Sequence, residues 1–268
     1  MSSSEIVTTE RNGKVLEVTL NRPPVNTIDA ATSMALYNAF RELQDDDDLL
    51  VGIITGTGDR AFSAGWDLKA VAAAENREDV ENSESPGGFA GLTEFWDLDK
   101  SVIAAVNGFA IGGGFALALC SDIMFAADHA EFWLPEMQRG FLASAGAIQR
   151  LPRVIPYRVA MDLFFTGRHL SAEKAMHWGL VSEVLPSDRL LPRVREVAQE
   201  LSEGAPLAVR SMKAIMPAIM TLPLDEAMRK TRRGNSGVPV FEQMTDSEDA
   251  IEGPRAFAEK RKPNWKER

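Results

Sequence analysis

The chain has 268 residues, 45% hydrophobic and 25% charged, enough apolar content for one large core or two small ones. A formal net charge of −10 excludes the basic footprint of a nucleic-acid-binding protein and makes anionic membrane surfaces poor partners. With one cysteine, Cys120, no apolar run near the roughly 20 residues of a membrane span, and no signal-peptide pattern at the start, the expected location is the cytoplasm.

Ile6–Thr9 and Lys14–Leu20 are rich in β-branched residues and flank Asn12-Gly13, which predicts a hairpin. Arg22-Pro23-Pro24 stops the second strand. Asp29 is a good N-cap, and Leu36, Phe40 and Leu43 recur at helical spacing up to the acidic run at 45–48. Leu50–Thr55, bounded by Gly56 and Gly58, predicts a buried strand. Glu75–Gly88 is rich in Asn, Ser, Glu, Pro and Gly and reads equally as a lid or a surface insertion. Val102–Val106 predicts a second buried strand, Gly112–Cys120 a helix apolar on all sides, and Asp122–Ala126 a third strand. Strands alternating with helices argue for an α/β core with parallel pairing. From Leu151 onward helices dominate: Ser171 opens one that Gly179 ends, and Pro206–Ile219 and Asp225–Arg232 predict two more. The expected division is an α/β core over 1–200 and a helical region over 201–268.

Two segments carry the chemistry. Phe62-Ser63-Ala64-Gly65-Trp66-Asp67-Leu68 follows the first buried strand, and its small residues leave backbone N–H groups open to a ligand. Ile111-Gly112-Gly113-Gly114 follows the second and opens a helix, so unpaired N–H groups face outward at the positive end of its dipole. Both are expected at the carboxyl edge of one sheet, where two convergent amides would stabilise a thioester oxyanion. Glu136 lies in Phe132-Trp133-Leu134-Pro135-Glu136, and burial there would raise its pKa and suit it to proton transfer; a helix-start or surface role is the plain alternative. His129, His169 and His177 have no metal-ligand spacing, and no metal is expected. The contiguous glycines do not have the spacing of a dinucleotide fingerprint, which leaves a Rossmann dehydrogenase a weak competitor.

These segments, with Ala105-Val106-Asn107-Gly108-Phe109-Ala110 and Leu134-Pro135-Glu136, resemble the enoyl-CoA hydratase/isomerase (crotonase) superfamily from about Leu16 to the C-terminus. Ala64–Leu68, the stretch Pro86–Glu94 and Glu248–Pro254 look most similar to the carnitinyl-CoA dehydratase branch. The resemblance implies a spiral of β-β-α units with a helical C-terminal trimerisation region, assembled as a homotrimer or a dimer of trimers. It implies a lyase or isomerase acting on an enoyl-CoA or 3-hydroxyacyl-CoA, with coenzyme A carried by the substrate and no separate cofactor. Glu136, Ala64 N–H and Gly113 N–H would be catalytic. Arg22, Val25, Ala64, Gly65, Trp66, Asp67, Leu68 and Gly112 would bind the thioester, with Phe257 and Lys260 reaching CoA, often across subunits.

The sequence departs from the family pattern where hydratases carry a second glutamate, after Gly-Gly-Gly-X: that residue is Ala116. Phe141–Ala147 also lacks the usual Pro, acidic residue and one Gly. Water addition needs one group to activate water and another to protonate the α-carbon, whereas moving a double bond needs one base. A single-glutamate isomerase and a non-catalytic acyl-CoA-binding paralogue therefore stand beside the hydratase reading.

Overall fold

The computed structural model describes residues 5–68 and 85–268; apart from residues 85–88, the expected lid lies outside the described residues. The chain divides into two compact units, one running to Leu98 and from Val102 to Ala198, the other made of Asp99–Ser101 and Gln199–Arg268.

In the first unit β1 (Val7–Asn12) and β2 (Val15–Leu20) form the expected antiparallel hairpin, with Gly13 at φ +60° in its turn. β3 (Thr27–Ile28) leads into α1 (Ala30–Asp45), where the Asp29 side chain caps by accepting the Thr32 N–H at 2.8 Å. Leu36, Phe40 and Leu43 are on its buried face, as their spacing predicts. β4 (Val51–Gly56) is buried along its whole length and pairs in parallel with β2. β5 (Ala61–Ser63), β6 (Gly65–Trp66), β7 (Ser101–Val106) and β8 (Phe109–Ile111) follow, then α2 (Gly113–Ala118), β9 (Ile123–Ala127) and β10 (Glu131–Trp133). The remaining elements are α3 (Ala147–Val154), α4 (Tyr157–Thr166), β11 (Leu170–Ser171), α5 (Ala172–His177), β12 (Glu183–Leu185) and α6 (Ser187–Ser202).

Six strands form one sheet in the order β1-β2-β4-β7-β9-β12, four form a second in the order β11-β10-β8-β5, and β3 pairs with β6. Three times the chain gives a strand to the large sheet and the next to the small one: β4 then β5, β7 then β8, β9 then β10. Parallel neighbours cannot be joined by a tight turn, so each repeat must leave the sheet and return, producing the β-β-α spiral. The sequence reading attached the glycine segments directly to the strands at 50–55 and 102–106. The structure adds β5 and β8 after those strands, so the two glycine turns leave the carboxyl ends of neighbouring strands of the small sheet. The apolar runs of β4 and β7 match burial on both faces.

The second unit holds α7 (Pro206–Ile219), α8 (Leu224–Lys230), α9 (Pro239–Asp246) and α10 (Asp249–Ala258). Arg210 grips the Asp99 carboxylate through two bonds of 2.9 and 3.0 Å, and Ser211 Oγ donates to Val240 O at 2.9 Å, tying α7 to α9. Among the described residues no helix is long and apolar enough to cross a membrane, and no acidic, His or Cys cluster is arranged to hold a metal ion.

Candidate active site

β5 and β8 are parallel neighbours, with Ala61 opposite Phe109 and Ser63 opposite Ala110, so the turns that leave them meet. The approach is close at Gly65, whose φ is +74°: a Cβ there would stand 2.7 Å from Gly113 N and 2.7 Å from Ile111 O. The first bond inside α2 runs from Ala116 N–H to Gly112 O at 2.9 Å. Gly113 N–H lies ahead of it and finds no acceptor among the described residues.

The second donor differs from the expected one. Ala64 N–H is taken, donating to Val25 O at 2.8 Å. Further along, Asp67 N–H donates to Ile28 O at 2.9 Å across the parallel β3–β6 pair. Successive residues of a strand point their N–H groups to opposite sides, so Trp66 N–H faces away from β3. Strand pairing thus moves the open donor from Ala64 to Trp66.

A buried network holds this turn in place. Ser63 Oγ donates to Asn26 O at 2.7 Å and accepts from Gly65 N–H at 3.1 Å. Asn26, fully buried at φ +51°, donates from its amide to Ala61 O at 2.8 Å and Thr57 O at 3.2 Å, and accepts from Arg22 N–H at 3.1 Å. The sequence reading placed Asn26 only at the end of a segment, Arg22–Asn26, expected to hold CoA, and did not foresee this bracing role, although an Asn following Pro23-Pro24-Val25 is a turn signal. Arg22, expected at CoA, spends its charge otherwise: its guanidinium stands 2.9 Å from both Asp29 and Asp67 and donates to the Thr27 carbonyl. It is a clasp between the α1 N-cap and the site turn.

A cavity of about 550 Å³ opens on the two turns. Of the expected residues Val25, Ala64, Trp66, Asp67, Leu68, Gly112, Gly113 and Glu136 line it, whereas Arg22 and Gly65 do not. Ala116, Arg139 and Phe141–Ala145 also belong to the lining. Phe257 and Lys260 belong to the second unit, where Phe257 is 87% exposed.

Glu136 opens a single 3-10 turn, Glu136–Arg139, which ends at Gly140 in the left-handed region, with Phe141 N–H donating to Glu136 O at 3.0 Å. The carboxyl lies against bare backbone: a Cβ on Gly112, at φ +53°, would stand 2.8 Å from Glu136 Oε1. Oε2 is buried and has no hydrogen-bond partner among the described residues. Burial pushes the Glu136 pKa above the ordinary carboxylate range, opposed by its own backbone N–H and by Arg139. Ala116 is 1% exposed and presents only a methyl group to the cavity. Neither of two nearby carboxylates in the sequence motifs replaces the missing acid: Asp67 is bound to Arg22, and Glu94 is exposed and outside the lining. The site therefore joins one buried carboxyl to two adjacent turns, each with an open amide.

The enoyl-CoA hydratase/isomerase family profile matches residues 10–268. The chain is 48% identical to the carnitinyl-CoA dehydratase of Salmonella typhi over 265 residues, covering 99% of this chain and 100% of that protein. Its structure is similar to an enoyl-CoA hydratase from Mycobacterium marinum, with a TM-score of 0.86 and 38% identity over 97% of this chain and 98% of that one. An enoyl-CoA hydratase from Bacillus anthracis superposes with a TM-score of 0.89 at 32% identity, covering 98% of this chain and 100% of that one. With the fold, the paired turns and the buried carboxyl in agreement, the chain belongs to the enoyl-CoA hydratase/isomerase family.

Proposed function

We propose that this chain is a hydratase-type lyase that interconverts carnitinyl-CoA and crotonobetainyl-CoA, with Glu136 as the proton carrier. The observation that carries the reading is the Glu136 carboxyl set against Gly112, with Oε2 buried and without a hydrogen-bond partner among the described residues. Glu136 removes the α-proton, and the charge moves onto the thioester oxygen, held by Gly113 N–H and Trp66 N–H. The β-hydroxyl then leaves, taking that proton from Glu136 and departing as water, so one carboxyl serves both steps. The 48% identity to carnitinyl-CoA dehydratases supports the substrate. Exposed Met212 on α7, Met220 at its C-terminal cap, and Leu224 and Met228 on α8 support a homotrimer or a dimer of trimers, in which Phe257 and Lys260 contact CoA across subunits. The single cysteine is in keeping with a cytoplasmic location.

Ala116 favours a second reading, a double-bond isomerase that needs only the one base. Turnover assays on carnitinyl-CoA, crotonyl-CoA and a 3-enoyl-CoA separate the possibilities. Carnitinyl-CoA dehydration lost by about 10²–10⁴-fold in Glu136→Gln is the expected result. Turnover of the 3-enoyl thioester alone would establish the isomerase, and binding without any turnover would establish the paralogue.

A further inference from the structure

We infer that the indole of Trp66 forms a subsite for a quaternary ammonium group on the acyl chain. The inference rests on the proposed acyl-CoA chemistry and adds the feature of the acyl group that the pocket selects. Trp66 serves the site twice. Its N–H is the open donor of the β6 turn, and Trp66 is one of the residues that line the cavity, with Gly113 and Glu136. A substituent only a few bonds beyond a thioester carbonyl held by that N–H must therefore pass the indole. Phe89 supports the ring from behind: it is 5% exposed, its centroid is 5.7 Å from that of Trp66, and its edge stands against Gly113, where a Cβ would fall 2.6 Å from the ring.

The rest of the lining sharpens the inference. Leu68, Ala116, Phe141 and Leu142 are apolar, and the Asp67 carboxylate is held by Arg22. Arg139 is exposed and donates to Pro135 O at 3.3 Å, and its charge opposes a cation. In an aliphatic pocket of this kind an uncharged tert-butyl group would bind better than trimethylammonium, because the cation loses its hydration. An aromatic face reverses that order, and tryptophan does so most strongly.

Two thioesters of the same shape test this: 4-trimethylammoniobutyryl-CoA and its neutral isostere 5,5-dimethylhexanoyl-CoA, with affinities measured by calorimetry. The wild-type protein is expected to bind the cationic thioester about tenfold more tightly. Trp66→Leu, which keeps the backbone N–H, is expected to lose the preference while still binding the neutral compound. Trp66→Phe, with its weaker ring, should fall between the two and stands in if the Leu variant does not fold. Glu136→Gln should keep the preference. Equal or tighter binding of the neutral isostere by the wild-type protein overturns the subsite, as does a preference unchanged in the Trp66 variants. A preference abolished by Glu136→Gln also overturns it, by assigning the cation to the carboxylate. If neither thioester binds, the acyl-CoA reading itself fails; if crotonyl-CoA is turned over without any cation preference, that reading stands and only the subsite is lost.

Discussion

Glu136 is held where its charge is least comfortable, and two measurable effects follow. A carboxyl with a raised pKa must still be deprotonated to remove an α-proton. The dehydration kcat/KM should therefore fall on the acid side around a pKa above the ordinary 4.5, and an acid limb at or below 4.5 would contradict the assignment. The same shift carries a stability sign. With the folded pKa above the unfolded one, the native state is favoured below the unfolded value and loses that advantage as pH rises through the folded value. Glu136→Gln, which never ionises, should melt no lower than the wild-type protein at pH 8 while losing activity, a separation that thermal melting and kinetics together detect. Ala116→Glu supplies a second carboxyl facing the cavity, and crotonyl-CoA hydration is expected to rise about tenfold or more; an unchanged rate would show that the position does not reach the reacting carbons. Glu136, Gly113 and Trp66 line the cavity, where the motifs and the family resemblance led one to expect them, and their catalytic roles belong to the proposal. The Ala64 donor was misread because the direction of an N–H is decided by strand pairing. The Arg22 clasp was hidden because its partners Asp29 and Asp67 are brought together only by the fold.

Among the elements, long apolar runs were legible and very short ones were not. β4, β7 and α7 appear where β-branched runs and helical spacing put them. The small sheet was invisible because β5, β8, β10 and β11 are two or three residues long, too short for any periodicity to show. That sheet brings the two turns together, so Asn26, which braces its β5 end, matters beyond its size. Asn26→Ala leaves Ala61 O and Arg22 N–H without their partner and should cost about 1–3 kcal/mol in urea unfolding, whereas a neutral result would make the network ornamental. In the second unit Glu252 holds the chain end to α10, accepting from Arg261 at 2.6 and 2.9 Å and from Asn264 N–H at 2.8 Å. The Arg261 guanidinium, then the Asn264 N–H, pull the Glu252 pKa down to about 2. A depressed carboxylate stabilises above its ordinary value of 4.5, and that contribution fades as pH falls toward about 2. Proteolysis after Arg261 should accelerate across that window and, in Glu252→Gln, already at neutral pH.

For the molecule as a whole, strand–helix alternation predicted an α/β core with parallel pairing, and the resemblance supplied the spiral that composition and spacing did not. Assembly was legible only as a family expectation. The exposed Met212, Met220, Leu224 and Met228 support the proposed trimer or dimer of trimers, and light scattering of Met220→Glu should report a smaller particle than the wild-type protein; an equal particle size would count against that assembly. The central claim is that the turns after β5 and β8 share one oxygen. A crystal structure with butyryl-CoA tests it most directly: the thioester oxygen should lie about 3 Å from both Trp66 N and Gly113 N. A thioester oxygen turned away from either nitrogen, or placed over Ala64 instead, would contradict the account.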